Sequence, residues 1–206
     1  MNKESLMEKY KDEHVLCISN CFIRVGHKDG LTNVKSLLES IKEHGYFDYR
    51  YIAEVNFDAK QVIPYVVLKH KDKYFVTERI KGDSRLVGGL SIAVGGHINP
   101  CDMKISLDSP IDVVNSCIKR ELQEETTIEL ENIESQTFVT TFVDESLEVS
   151  KVHVCLLTVV EVNTDDIKIK EVDKLKGKWM KANEVSDVYD RFEGWSKIAV
   201  DLLNIK

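Results

Sequence analysis

The spacing of apolar residues alternates along the chain between the periods that distinguish helices from strands. An apolar stripe with intervals of three and four residues predicts an amphipathic helix over residues 33–43. β-Branched and aromatic residues concentrate in residues 62–69 and 74–80, on either side of the polar pair Lys71 and Asp72. Two such runs joined by a short polar turn predict a β-hairpin.

Shorter apolar runs predict the remaining strands, and a second helical stripe ends the chain. The strands are expected at residues 15–25, 90–94, 137–143, 149–162 and 178–181. Helical spacing returns from residue 183 and continues through Trp195, Ile198, Ala199, Leu202 and Leu203. Strands on both sides of a central helix, followed by a terminal helix, predict an α/β sandwich with a mixed β-sheet.

The central helix has the clearest boundaries in the sequence. Ser109 suits the N-cap, Pro110 suits the first helical position and Asp112 completes a capping pattern. The β-branched pair Thr126 and Thr127 follows an acidic run, so we expect the helix to end there. The stripe expected to face a core consists of Ile111, Val114, Ile118 and Leu122.

The composition is that of a globular chain with a sizeable core. The chain has 206 residues, of which 43% are hydrophobic and 31% charged, and its formal net charge is −7. These values exclude collagen-like, low-complexity and disordered polypeptides. A protein that wraps duplex nucleic acid normally has the opposite charge balance, so we expect no duplex nucleic acid partner.

The cysteine usage and the lack of long apolar runs indicate a cytoplasmic protein without a membrane anchor. Five scattered cysteines are too few for a disulfide framework in a chain of this length. The amino terminus lacks the apolar core of a secretory signal, and the apolar run 154–160 is far too short to span a bilayer. Irregular spacing within an apolar strand favours buried thiols over a zinc site for the set His14, Cys17, Cys21 and His27.

The chemistry of the central helix is concentrated in residues 120–125, RELQEE. Residues three and four apart share a helix face, so Glu121, Glu124 and Glu125 should converge within about one turn. Three like charges repel one another, and hard divalent cations, which favour carboxylate oxygen, would compensate them.

An ordinary solvated helix face is the alternative interpretation of this acidic run, because Lys119 and Arg120 offer local neutralisation. Two neighbouring features favour a site. Glu125 lies close in angle to the apolar stripe and should sit at the edge of the core. The glycine pair Gly95 and Gly96 ends a strand upstream, where the backbone can approach a ligand or an ion.

These residues resemble the signature of the Nudix hydrolase superfamily, G-x5-E-x7-R-E-U-x-E-E-x-G-U, in which U is aliphatic. Residues 120–128 match the second half of the pattern, except that Thr127 stands at the usual glycine. Asp112 stands where the family has glutamate, and Ser106 stands where it has its first glycine. Gly96 looks like that glycine displaced, with about ten extra residues before the helix.

The resemblance extends from about residue 62 to the carboxyl end and implies a Nudix-like α/β/α sandwich. It implies hydrolysis of a nucleoside diphosphate linked to another group, with Mg²⁺ or Mn²⁺ as cofactor. It also implies that Glu121, Glu124 and Glu125 are catalytic metal ligands. Glu121 is in addition a general base candidate that acts through a water, and Arg120 would orient Glu121 by a salt bridge.

Further site residues follow from the same resemblance. The carbonyl of Gly95 and the carboxylate of Glu171 are expected as additional metal ligands, with Asp173 close behind, although spacing alone favours solvation of both acids. Substrate contacts are expected from Arg79, Arg85, Gly96 and His97. A guanidinium suits a phosphate clamp, but a structural arginine and a histidine that caps a turn remain open readings.

The first 60 residues form a predicted N-terminal extension ahead of a hydrolase domain at residues 61–206. Residues 47–56, FDYRYIAEVN, resemble a poorly characterised bacterial branch of the superfamily. Dimerisation or closure over the substrate would give this extension a purpose, so a homodimer is one hypothesis. The alternatives to an enzyme are a Nudix-fold module that binds a nucleotide without cleaving it, and an interaction protein that uses the extension.

Overall fold

The computed structural model describes residues 3–23, 31–32, 34–81, 88–104, 106–146 and 148–205. Two of the residues discussed above, Arg85 and His27, lie outside the described residues. The chain divides into two compact units. The first consists of residues 1–64, 96–118 and 138–157, and the second of residues 65–95, 119–137 and 158–206. The predicted domain boundary near residue 60 stays a prediction.

The described helices and strands alternate in the manner of an α/β protein, as the sequence predicts. The helices are α1 Lys3–Lys9, α2 Val34–His44, α3 Arg50–Ala53, α4 Pro110–Glu125, α5 Glu148–Lys151, α6 Ala182–Asp187 and α7 Gly194–Leu202. The strands are β1 His14–Ser19, β2 Leu31–Thr32, β3 Tyr46–Tyr49, β4 Ala59–His70, β5 Lys73–Arg79, β6 Leu90–Ser91, β7 Val94–Gly95, β8 Ile133–Phe142, β9 His153–Val162 and β10 Leu175–Lys181. None of the described helices is both long enough and apolar enough to cross a bilayer.

The first unit is built around β1, in which residues 15–18 are at most 2% exposed. β1 pairs antiparallel with β3 and with β4, and β2 pairs antiparallel with β8. Helices α2 and α3 pack against β1. Val15, Cys17 and Ala53 form a buried cluster against which Tyr46 packs. The carboxyl end of α2 is close-packed, since a Cβ on Gly45 would lie 2.5 Å from the carbonyl oxygen of Ile41.

The second unit is built around the hairpin of β4 and β5, whose turn at Lys71 and Asp72 confirms the predicted one. β5 also pairs antiparallel with β10 along seven positions and with β6, while β7 pairs with β4. Helix α6 packs against β10 and β5. The short edge strand predicted at residues 178–181 is thus present and begins earlier, at Leu175.

Helix α4 confirms the predicted central helix, with one error in its apolar stripe. Val114, Ile118 and Leu122 are at most 1% exposed, as expected. Ile111 is 42% exposed because it lies in the first turn, outside the buried face. Ser109 Oγ donates a hydrogen bond at 2.5 Å to Oδ2 of Asp112, the residue at the position of the family glutamate.

Two predicted strands are interrupted by local side-chain hydrogen bonds. The strand expected at residues 15–25 ends at Ser19, because Asn20 donates through its backbone to Asp58 and through its side chain to Phe57 and starts a 3₁₀ turn. The strand expected at residues 90–94 is split in two, because Ser91 Oγ donates to the carbonyl of Ala93 at 2.8 Å and bends the chain. Such side-chain bonds compete with strand pairing.

Two other boundaries differ because a helix or a turn interrupts the predicted element. Strand β9 begins at His153 rather than at residue 149, since helix α5 precedes it and Lys60 Nζ caps the Lys151 carbonyl at 2.7 Å. The helical stretch predicted from residue 183 is divided into α6 and α7 by a 3₁₀ turn at Tyr189–Arg191. All five cysteines are free thiols, and Cys17, Cys117 and Cys155 are buried. The prediction of a buried thiol at Cys21 is wrong, because β1 ends at Ser19 and Cys21 is exposed in the following 3₁₀ turn.

Candidate functional site

The last turn of α4 brings an arginine together with two carboxylates of the acidic run. Arg120 Nη1 donates to Glu121 Oε1 at 2.6 Å and to Glu124 Oε2 at 3.2 Å. The two carboxylates differ in environment, because the side chain of Glu121 is 14% exposed and that of Glu124 is 59% exposed. Arg120 therefore fixes an inner carboxylate and an outer one on the same helix face.

Glu125 lies at the edge of the core, as its angle on the helix predicts. Burial, which is the largest cause, and the nearby charges of Glu121, Glu171 and Glu124 together raise the pKa of Glu125 from 4.5 to about 7. Arg79 acts in the opposite direction and lowers it. The structure thus concentrates four carboxyl groups around one half-buried position, where ionisation of Glu125 costs free energy unless a cation is nearby.

Arg79 is the last residue of β5, and its charge acts on Glu125. Hydrogen bonds fix both its backbone N–H and its carbonyl. Its N–H donates to the carbonyl of Gly89 at 3.1 Å, and its carbonyl accepts from Gly88 at 2.8 Å. Its Nε lies 3.7 Å from Glu193 Oε1. Burial raises the pKa of Glu193, and Arg79 partly offsets that rise. Arg79 therefore lies near the carboxylates of both Glu125 and Glu193.

The exit of α4 explains how threonine replaces the family glycine. Among the described residues other than glycine, only Lys71 and Asn204 have positive φ, so Thr127 does not use the left-handed conformation. Thr127 N donates to the Lys168 carbonyl at 2.9 Å, and Lys168 N donates back to Thr127 Oγ1 at 3.0 Å. The hydroxyl of Thr127 is thus part of the contact between the helix end and residues 168–170.

This contact between the end of α4 and residues 168–170 places Glu171 close to Glu125. Thr126 forms an antiparallel bridge with Ile169, and Lys170 N donates to the Glu125 carbonyl at 2.8 Å. Glu171 follows directly, close enough for its charge to raise the pKa of Glu125. Its carboxylate is half exposed and pairs with Lys174 at 3.1 Å. Asp173 is exposed.

The glycine pair is divided between the two compact units. Gly95 ends β7 opposite Tyr65 of β4 and belongs to the second unit, with the carboxylates. Gly96 and His97 belong to the first unit. Their predicted role in substrate binding, like that of Arg85, stays a prediction based on the resemblance.

A second group of metal-ligating side chains, which the sequence analysis missed, lies within the first unit. Glu54, His97 and His153 each offer one ligand atom, and these atoms all lie within 4.8 Å of one another. The three residues come from chain segments more than 40 positions apart. No motif spacing links them, so only the fold brings them together. The set of His14, Cys17, Cys21 and His27 is not grouped in this way among its described members.

Comparison with known proteins identifies relatives in sequence and in structure. No protein-family profile matches the chain. Protein YmaB of Bacillus subtilis is 36% identical over 149 residues, which are 70% of this chain and 71% of YmaB. The crystal structure of Tm1382, described as a candidate Nudix hydrolase, has a TM-score of 0.76 and 26% identity, and the match covers 93% of this chain and 98% of Tm1382.

A more distant structure carries a ligand and a metal ion. The bifunctional NMN adenylyltransferase/ADP ribose pyrophosphatase of Francisella tularensis, complexed with AMP and a Mn ion, has a TM-score of 0.50 and 17% identity. The match covers 70% of this chain and 41% of that protein. At this identity the likeness shows a shared fold.

Proposed function

The chain belongs to the family of Bacillus subtilis YmaB and has the fold of the Nudix hydrolases, and on that premise we propose that it hydrolyses a pyrophosphate bond. The substrate class is a nucleoside diphosphate linked to another group. The cofactor is a divalent cation, Mg²⁺ or Mn²⁺, held by Glu121, Glu124 and Glu125. One observation supports this proposal most. The carboxylates of Glu121, Glu124 and Glu171 lie close enough to the half-buried Glu125 to raise its pKa.

The environment of Glu125 fits a divalent cation. Its raised pKa results from burial and from three neighbouring carboxylates, and Arg79 offsets only part of that rise. A divalent cation prefers such carboxylate oxygens and would supply charge neutralisation to a pyrophosphate. Glu171 and the carbonyl of Gly95 are proposed as additional ligands from the same unit.

The residues of the chain itself account for positioning and proton transfer. Glu121, held by Arg120 at 2.6 Å, accepts a proton from the attacking water. The water oxygen forms a bond to one phosphorus, the bridging P–O bond breaks, and the leaving phosphate takes the bridging oxygen with its electron pair. Arg79 binds phosphate oxygens as the charge redistributes. Arg85, Gly96 and His97 are proposed to contact the substrate on the resemblance alone.

A hydrolysis screen with a matched pair of variants tests the proposal. Nucleoside diphosphate derivatives, ADP-ribose and dinucleotides among them, are incubated with Mg²⁺ or Mn²⁺ in ¹⁸O-labelled water, and the products are identified by mass. The wild type should release a nucleoside monophosphate and a second phosphate product, one of which carries ¹⁸O. Glu124→Gln should lose this activity, and Glu129→Gln, an exposed carboxylate beyond the helix, should retain it.

Binding without cleavage distinguishes the alternative of a nucleotide-binding module. If wild type and Glu124→Gln bind these compounds equally and neither cleaves any of them with either cation, the enzymatic proposal fails and a binding module is supported. A homodimer and a role in closure for the first 60 residues remain proposals, which the elution volume of the full chain and of its complexes would test.

A further inference from the structure

Glu54, His97 and His153 converge from three separate parts of the first unit. Glu54 directly follows α3, His97 follows the glycine pair, and His153 is the first residue of β9. One ligand atom of each lies within 4.8 Å of the others. His153 is 8% exposed, and the Glu54 side chain is 15% exposed. Largely shielded imidazole and carboxylate groups at such distances point to a shared ligand.

The donor set determines which ion fits. Two imidazole nitrogens with one carboxylate oxygen suit Zn²⁺ and other transition-metal ions, whereas Mg²⁺ prefers oxygen donors alone. We propose that Glu54, His97 and His153 form a second metal centre, which binds one divalent transition-metal ion of the Zn²⁺ class. This proposal does not depend on the proposed hydrolase function, since it uses none of the carboxylates of α4. It gives His97 a role as a metal ligand in place of the substrate contact that the resemblance alone implies.

The three ligand atoms are close enough together to bind one ion after small side-chain movements. With ligand bonds of about 2.0–2.1 Å, the ligand atoms around a tetrahedral ion lie about 3.4 Å apart. Ligand atoms within 4.8 Å reach that spacing by small side-chain rotations. The imidazole rings have centroids 5.5 Å apart and planes inclined at 63°, so they are not stacked and their nitrogens can approach one ion from different directions.

Residues around the group hold two of the three ligands in place. Arg50 Nε donates to Glu54 Oε1 at 3.2 Å, and Arg50 Nη1 donates to Glu13 Oε1 at 2.8 Å. The guanidinium also lies over the ring of Tyr10, 4.1 Å from its centroid. Hydrogen bonds of this kind to a ligating carboxylate fix its orientation.

The backbone at His97 is fixed in a similar way. Cys117 Sγ donates to the His97 carbonyl at 3.5 Å. The next residue, Ile98, accepts a hydrogen bond from Leu16 N at 2.9 Å through its carbonyl. His97 is therefore anchored to helix α4 on one side and to β1 on the other. Three protein ligands leave a fourth position for water or another ligand, as in catalytic zinc sites.

The proposal assigns a purpose to part of the first 60 residues. Glu54, Arg50 and Glu13 all come from that segment, whereas His97 and His153 come from the hydrolase domain predicted from the sequence. A metal ion at this group would therefore cross-link distant parts of the chain within the first unit.

The experiment measures Zn²⁺ binding by the untagged full chain while Mg²⁺ in large excess occupies oxygen-only sites. Zn²⁺ is titrated against a chromophoric chelator, and Co²⁺ serves as a spectroscopic probe. We expect one equivalent of Zn²⁺ per chain, and a loss of affinity of at least about 100-fold in Glu54→Gln and in His97→Ala. Two matched controls, Glu13→Gln, which removes the other carboxylate on Arg50, and Glu124→Gln on α4, should retain one equivalent.

X-ray absorption spectroscopy on the zinc-loaded wild type identifies the donor atoms. It needs no variant, so it tests the proposal even if a variant fails to fold. The expected first shell contains only nitrogen and oxygen at about 2.0–2.1 Å. Sulfur at about 2.3 Å would place zinc on cysteines and overturn the proposal. So would less than one equivalent of zinc on the wild type, equal affinity in all four variants, or loss of the site in Glu124→Gln alone.

Discussion

The two groups of polar side chains differ in how the chain assembles them. The carboxylates of α4 come from residues 121–125, within two turns of a single helix. Glu54, His97 and His153 come from three segments of the chain and meet only in the folded first unit. The first group can be found in a linear sequence, and the second cannot. The groups also differ in chemistry, since the first offers oxygen donors alone and the second adds two imidazoles.

Each group nevertheless contains an arginine that fixes a carboxylate. Arg120 holds Glu121 at 2.6 Å, and Arg50 holds Glu54 at 3.2 Å. A carboxylate that is oriented before a cation arrives loses less conformational entropy on binding. In our two proposals these groups are metal sites of different selectivity, each organised by an arginine, and the following changes test whether the two sites are separate.

The largest effect is expected when the inner carboxylate of α4 is neutralised. Glu121→Gln should lower kcat of the proposed pyrophosphate hydrolysis by about 10³-fold, because it removes the proposed proton acceptor and a proposed cation ligand together. The Zn²⁺ affinity of the same variant should stay within twofold of the wild type. Steady-state kinetics and a zinc titration on one preparation measure both. A parallel loss of zinc affinity would show that the two groups do not form separate metal sites.

Glu125→Gln should stabilise the metal-free protein at high pH. A pKa near 7 in the folded state, against 4.5 when exposed, means that the folded state holds its proton longer. Between pH 4.5 and pH 7 the unfolded state binds fewer protons than the folded state. The free energy of unfolding of the wild type therefore falls as pH rises through this range, and it stays lower above pH 7. The variant lacks this loss, which corresponds to about 3 kcal/mol at pH 8.

Denaturant unfolding of the chelator-treated protein at pH 5 and pH 8 checks the sign. The difference in unfolding free energy between Glu125→Gln and the wild type should grow from pH 5 to pH 8. Glu124→Gln is the matched control, since its exposed carboxylate should change stability by less than about 0.5 kcal/mol. A difference that is constant with pH would mean that Glu125 ionises normally.

Arg50→Met should have a smaller effect than these changes. It tests whether the guanidinium orients the carboxylate of Glu54 for zinc binding. Removing the guanidinium leaves all three proposed ligands in place, so zinc should still bind, with an affinity about 10-fold weaker. Arg120→Met should leave the zinc affinity unchanged. Arg50→Lys should recover part of the loss if charge matters, and the metal-free unfolding free energy shows whether the fold itself is altered. Unchanged zinc affinity in Arg50→Met would exclude the positioning role.

Features that depend on neighbouring residues can be predicted from this sequence, whereas contacts between distant segments cannot. The helix α4 was predicted almost to the residue because its capping pattern, apolar stripe and β-branched end are all local. The placement of Glu171 beside Glu125 follows from the contact of Thr126 and Thr127 with residues 168–170, which no periodicity reveals. The grouping of Glu54, His97 and His153 is not predicted for the same reason, since their proximity is purely tertiary. Of the three, only His97 is expected at a site from the sequence, as a substrate contact.

Replacement of Thr127 tests how far the group on α4 depends on such tertiary contacts, and its effect should be the smallest. Thr127→Val keeps the shape but removes the oxygen that accepts from Lys168 N at 3.0 Å, so it should cost about 1 kcal/mol. Thr127→Gly restores the family residue yet should cost slightly more, because Thr127 does not use the left-handed conformation and glycine adds unfolded-state entropy. Denaturant unfolding of both variants measures these costs. If Thr127→Gly were instead more stable than the wild type, the helix exit would favour glycine here too, and the hydrogen bond to residue 168 would not explain the substitution.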